Sequence, residues 1–332
     1  MEHRPRLVFS PAPHLKNPAQ VPRIMGEVFI ALLPAAAWAG YAFGFWNAFL
    51  PVFWSITAAL AFEYLLCRLL RKSSSLGDGS ALVTGMLLGL SLPPGSPFWL
   101  AMAGGAIAIV LGKQIFGGLG QNIFNPALVG RAVLLISWPR TMYTWVARVP
   151  FSLPDLASGI NQPPAGMDVV TTATVLDLAE LHGYAALRAA EPAILTRLFL
   201  GQVPGSIGEV SALFLLIGFC YLLWRGIVHW DIPLWFAVGL VVVILLGRQS
   251  PLFHLLSGGV VIGACFMATD YVTTPMAPRA RLVFGLGAGM LTAIIRLLGA
   301  YPEGVTFGIL MMNALVPLLD KMIPVRFGVK SR

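Results

Sequence analysis

The chain has 332 residues, of which 57% are hydrophobic and only 11% charged, against about 25% charged in soluble domains. Apolar runs of roughly 20 residues recur along it, so an ordinary soluble domain is excluded and an all-α polytopic membrane protein is expected. The net charge of +8 falls in short segments between apolar runs, the pattern of cytoplasmic loops, so the expected partner is membrane lipid and not nucleic acid.

Residues 1–22 form a polar, Pro-rich tail with Arg4, Arg6 and Lys16 and no apolar core of a cleavable signal peptide. Five spans then follow, at about 23–44, 47–67, 80–92, 97–115 and 126–138. The third stops at Ser91-Leu92-Pro93-Pro94-Gly95, where proline removes a donor and clashes with the preceding turn, so a broken helix is predicted. Residues 139–208 are hydrophilic. Five further spans fall near 209–224, 231–247, 252–269, 281–298 and 304–319, before a short tail over 321–332.

An internal echo divides the membrane part into two halves, 23–138 and 209–320. Gly85-Met86-Leu87, Pro93-Pro94, Lys113 and Asn125-Pro126-Ala127-Leu128-Val129 recur in order as Gly263-Ala264-Cys265, Pro275, Arg296 and Asn313-Ala314-Leu315-Val316. Five spans is an odd number, so the halves must have opposite topology. The reading is about ten transmembrane helices as two inverted five-helix repeats, a design that uses broken helices and sites near the midplane. Lys and Arg accumulate on one side when both termini are cytoplasmic, which puts residues 139–208 outside.

The extracytoplasmic segment holds Asp168-Val169-Val170-Thr171-Thr172-Ala173-Thr174-Val175-Leu176-Asp177. Thr174 and Asp177 fit a helix capping box. A helix N-terminus also suits a phosphoryl group, so local physics leaves Thr174 either a cap or an attachment point. Ser206 and Glu209 in Gly205-Ser206-Ile207-Gly208-Glu209 fit a second capping box opening the sixth span; the same glycine-flanked turn would also serve as part of a cradle for an anionic or flat ligand.

Glu27, Glu63, Lys113, Arg131, Asp270 and Arg296 lie at or near membrane depth, where charge is costly and points to a pathway or a ligand contact. Lys113, Glu63 and Arg296 are close enough to span ends to snorkel. Asp270 lies at a predicted helix break, with Asp78 as its counterpart in the first half. Cys67, Cys220 and Cys265 have no metal-ligand spacing and read as small buried apolar residues. No metal site and no acid–base catalytic residue is expected. The paired breaks with Asp78 and Asp270 also suit an inverted-repeat channel or transporter for a small solute; a further reading of the chain is a purely scaffolding role in a larger assembly.

Three stretches carry a resemblance that covers nearly the whole chain. Phe116-Gly117-Gly118-Leu119-Gly120-Gln121-Asn122-Ile123-Phe124-Asn125-Pro126-Ala127, Gly205 to Glu209, and His254-Leu255-Leu256-Ser257-Gly258 through Thr269-Asp270-Tyr271-Val272-Thr273 resemble the family formed by RnfD of the Rnf complex and NqrB of the Na+-translocating NADH:quinone reductase. In that family a threonine in the pattern D-x-x-[S/T]-x-A-T carries FMN through a phosphoester. Asp168, Thr171, Ala173 and Thr174 match it, so the resemblance implies Thr174 as the covalent FMN site. Thr172 stands where glycine is frequent, and Val175 where proline is. The resemblance also implies a second, non-covalent flavin (riboflavin) in the membrane domain and a flavin transferase that installs FMN from FAD. It further implies a translocase in the bacterial inner membrane, with the A, B, C, E and G proteins of the Rnf complex as partners. The implied activity is one-electron relay between ferredoxin and NAD, coupled to Na+ or H+ translocation.

Overall fold

The structure, a computed structural model, describes residues 21–71, 75–147, 170–172, 176, 191–201, 203–209, 211–299 and 304–322. The described chain is helical apart from one short ribbon. In the first half, α1 is Val21–Phe43, α2 Phe45–Leu69, α3 Ser80–Leu90, α4 Phe98–Ile109 with a π-helical continuation over Val110–Gln114, and α5 Pro126–Ser137. The intervening segment contributes α6 (Pro139–Met142), the strands β1 (Trp145–Ala147) and β2 (Val170–Thr172), and α7 (Glu191–Leu200). In the second half, α8 is Ala212–Trp224, α9 Asp231–Leu246, α10 Pro251–Leu256, α11 Val260–Ile262 with a π-helical turn over Gly263–Met267, α12 Pro278–Leu298 and α13 Val305–Met322.

Among the described residues, four helices (α1, α2, α12 and α13) are long and apolar enough to cross a membrane. They carry large apolar side chains on the surface, including Tyr41, Trp46, Leu298 and Met322, all exposed. This is a membrane protein: such surfaces are unfavourable in water but neutral against acyl chains. The shorter helices are explained by breaks. At 1.5 Å per residue, α3 reaches only about 16 Å, roughly half of a 30 Å hydrocarbon layer. It ends at Leu90 ahead of Pro93-Pro94, as predicted. The span expected over 252–269 is interrupted as well, at Ser257-Gly258-Gly259, where Gly258 and Gly259 have φ of 52° and 57°.

Small residues let helices approach backbone to backbone, the packing device open to membrane helices that lack a hydrophobic drive. The α9–α12 pair shows it best. A Cβ placed on Gly239 would lie 2.3 Å from the Leu286 carbonyl, and one on Gly289 would lie 2.0 Å from the Phe236 carbonyl. At the end of this pair, Arg281 Nε reaches Asp231 Oδ2 at 2.8 Å, so α9 and α12 start on the same side. The two halves join where α8 packs along α1. Tyr221 of α8 and Arg225, which follows its last residue, both hydrogen-bond the carboxylate of Glu27 on α1.

Candidate functional site

The halves also meet through the two asparagines of the sequence echo. Asn125 caps α5, its Oδ1 accepting from the amides of Ala127 at 3.0 Å and Leu128 at 3.4 Å. Its Nδ2 donates to the Met267 carbonyl at 3.0 Å, at the end of the second half's π-turn. The Asn125 amide donates to Asn313 Oδ1 at 3.3 Å, and Asn313 Nδ2 donates to the Thr273 carbonyl at 2.9 Å. Each asparagine thus closes a gap in an irregular backbone, which inside a membrane is tolerated only where protein supplies the missing partners.

Each helix break is likewise closed by a buried arginine. Three successive carbonyls follow the last turn of α3. The amides of Gly208 and Ile207 reach those of Leu90 at 2.5 Å and Leu92 at 3.0 Å, and Arg131 Nη1 reaches Ser91 at 2.8 Å. Arg131 Nη2 also lies 3.2 Å from Glu209 Oε1. In the second half Arg296 donates to the carbonyls of His254 at 2.7 Å, Ser257 at 2.9 Å and Gly258 at 2.6 Å. A guanidinium suits both places because its fork serves several acceptors and its charge complements the negative end of a helix. Glu209 connects the two breaks, for a Cβ on Gly259 would lie 2.6 Å from its Oε1.

This arrangement corrects two sequence expectations. Ser206 and Glu209 do not form a capping box. The amides of Ile207 and Gly208 serve α3, Glu209 is drawn to Arg131, and the helix starts only at Ala212, capped by Ser211. Ser206 is fully buried, and its Oγ has no partner among the described residues. Nor do Lys113, Glu63 and Arg296 snorkel, since they are 1%, 0% and 3% exposed. Lys113 Nζ donates to Glu63 Oε1 at 2.5 Å and Ser80 Oγ at 2.6 Å, which fixes the start of α3. Cys220 also departs from expectation, being exposed while Cys67 and Cys265 are buried.

Of the other predicted site residues, Asp168 and Thr174 lie outside the described residues, as does the expected cap partner Asp177. Thr171 lies in β2, where β1 and β2 pair antiparallel with Trp145 opposite Thr172 and Val146 opposite Thr171. Trp145 is 2% exposed, and its indole N–H has no partner among the described residues. Leu176 is 3% exposed and rests on the second break: a Cβ on Gly258 would lie 2.6 Å from Leu176 Cδ1. The run is therefore anchored two residues before Thr174 and two residues after it.

A second site faces the side on which α1 begins. A narrow cleft is lined by Met25, Leu87, Lys113, Asn122, Phe266 and Asp270, among others from both halves. Asn122 is buried, with Nδ2 donating to the Phe124 carbonyl at 3.2 Å and Oδ1 left without a partner among the described residues. Asp270 accepts from Thr273 Oγ1 at 3.2 Å. Its expected counterpart Asp78 is used differently, accepting from the Ser80 amide at 2.8 Å at the start of α3. Sequence reading singled out neither Trp145 nor Asn122 as a candidate. An unpartnered polar atom in a buried side chain leaves no local pattern.

A helical membrane protein with two arginine-closed breaks and a short β-ribbon between its halves is the class these features define. The sequence model of the NQR2, RnfD, RnfE family matches residues 8–328, and the chain belongs to that family. It is 42% identical to the D component of the proton-translocating ferredoxin:NAD(+) oxidoreductase complex of Clostridium ljungdahlii, over 97% of this chain and 96% of that one. It is also 42% identical to the D component of the Na(+)-translocating ferredoxin:NAD(+) oxidoreductase complex of Acetobacterium woodii, with the same coverage. A third relative, the D component of the ion-translocating oxidoreductase complex of Stutzerimonas stutzeri, is 42% identical over 95% of this chain and 94% of that protein.

Proposed function

We propose that this chain is the D-type membrane component of an ion-translocating ferredoxin:NAD+ oxidoreductase complex, and that it relays electrons through FMN held covalently on Thr174. The single observation that carries the reading is the run Asp168-x-x-Thr171-Thr172-Ala173-Thr174 in a chain that belongs to this family over nearly its full length. In attachment, the Thr174 hydroxyl oxygen forms the new bond to phosphorus, the pyrophosphate linkage of FAD breaks, AMP leaves and the hydroxyl proton goes to solvent. A flavin transferase performs this step. Bound there, the flavin accepts and passes single electrons, while the protein supplies position and electrostatics.

The local residues fit such a group. Trp145 offers a buried donor, without a partner among the described residues, on the strand opposite Thr172. Ser206, a second buried polar group without a partner among the described residues, lies in the loop that closes the α3 break. We assign the second, non-covalent flavin (riboflavin) to the region of the cleft on the α1 side. Met25, Leu87 and Phe266 offer apolar walls to a ring system, and Asn122 Oδ1, without a partner among the described residues, offers an acceptor at its edge.

The wider frame is the ten-helix inverted repeat, with halves 23–138 and 209–320 around the outer segment 139–208. Both termini are cytoplasmic, the Thr174 segment is periplasmic, and the membrane is the bacterial inner membrane. The A, B, C, E and G proteins of the complex are its partners. Paired helix breaks also suit a solute transporter, but family membership favours the electron carrier. In-gel flavin fluorescence of the denatured chain, co-expressed with the transferase, tests the reading. A fluorescent band absent from Thr174→Val is expected; a band that persists in Thr174→Val would rule out Thr174 as the sole site.

A further inference from the structure

Leu176 is a leucine in a hydrophilic segment, yet it is 3% exposed. It is seated on Gly258, whose left-handed backbone (φ 52°) and missing side chain make the space, since any Cβ there would meet Leu176 Cδ1 at 2.6 Å. The floor beneath is braced by hydrogen bonds. Arg296 holds the carbonyls of His254, Ser257 and Gly258 with one guanidinium, and Arg296 is itself 3% exposed. A Cβ on Gly258 would also lie 3.1 Å from Arg296 Nη2, so leucine, glycine and arginine share one small volume.

We propose that Leu176 is a positioning residue, a latch that holds the chain two residues after Thr174 against the break in the second half, with Gly258 as its socket and Arg296 as the brace. The proposal rests on the reading that Thr174 carries FMN. The ribbon fixes the chain two residues before Thr174, and the latch fixes it two residues after. A bulky cofactor on this segment would otherwise sample a wide volume, and electron transfer needs a fixed distance. Burial of the leucine side chain favours the seated position of Leu176, because its apolar surface leaves water there.

The test uses the intact complex co-expressed with the transferase. Leu176→Ala and Gly258→Val are expected to carry as much covalent flavin as wild type. Their flavin fluorescence should be quenched several-fold more strongly by iodide, and their reduction by ferredoxin should slow by at least tenfold, while Leu176→Met behaves as wild type. Wild-type quenching and reduction rates in a fully loaded Leu176→Ala complex would overturn the latch. A second arm does not depend on flavin. With Cys220 replaced by serine, Leu176→Cys should resist a membrane-impermeant maleimide and become reactive when Gly258→Val is added. Ready labelling of Leu176→Cys alone overturns the latch. A wild-type chain lacking flavin, with Leu176→Cys still protected, overturns the flavin reading and with it the positioning role.

Discussion

At the scale of single residues, the charges at membrane depth are structural before they are anything else. Lys113 and Glu63 are 50 residues apart in sequence and meet at 2.5 Å, both fully shielded from the surface. Removing one partner of such a pair strands the other, at a typical cost of about 3–5 kcal/mol. Lys113→Met is therefore expected to lower the melting temperature of the solubilised complex markedly. Adding Glu63→Leu should recover most of the loss, and a double-mutant cycle reads the coupling directly. An additive cycle would mean that the pair carries no interaction. Asn125 makes a different prediction. Asn125→Asp keeps the acceptor that caps α5 but loses the donor to Met267, and it buries a charge between the halves. It should destabilise the complex more than Asn125→Ser, measured by thermal unfolding.

At the scale of elements, the breaks are what the sequence hides and the structure supplies. The first was legible because Pro93-Pro94 cannot continue a helix. The second was not, because Ser257-Gly258-Gly259 contains no proline and lies within an apolar run that reads as one span. The closing groups were also out of reach: Arg131 lies 40 residues from the Ser91 carbonyl it serves, and Arg296 lies 42 from that of His254. Nothing in local pattern pairs them, so Ser206 and Glu209 looked like a helix start when their loop is a cap for α3. Arg296→Lys keeps the charge but loses the fork, leaving at least one carbonyl of the break unserved. Each lost bond to a charged group costs about 1.5–3 kcal/mol, so a lower melting temperature with intact membrane insertion is expected. In the α9–α12 pair, a side chain on Gly289 would collide with the Phe236 carbonyl. Gly289→Val should cost about 1–3 kcal/mol or more through overpacking, seen as poorer yield of assembled complex.

At the scale of the whole molecule, composition and apolar run length were enough to read a membrane protein built of helices. The echo of Asn125 and Asn313 acquired a physical meaning in the structure, since the two side chains interlock the halves. The topology proposed for the chain has its own check. Arg140→Cys, in the outer segment, should react with an impermeant thiol reagent added to spheroplasts. Arg71→Cys and Lys321→Cys should react only after the membrane is opened. The opposite pattern would invert the topology and place the Thr174 segment in the cytoplasm.

The segment between the halves links these scales, for the proposed function depends on what Thr174 carries. Its neighbours are anchored on both sides, through the ribbon at Thr172 and the buried Leu176. The most direct measurement is the intact mass of the chain purified after co-expression with the transferase, alongside Thr174→Val. The wild-type chain should be heavier than its sequence by one FMN less water, and Thr174→Val should have the mass of the bare polypeptide. A wild-type chain at its bare sequence mass, from a complex that still transfers electrons, would contradict the account.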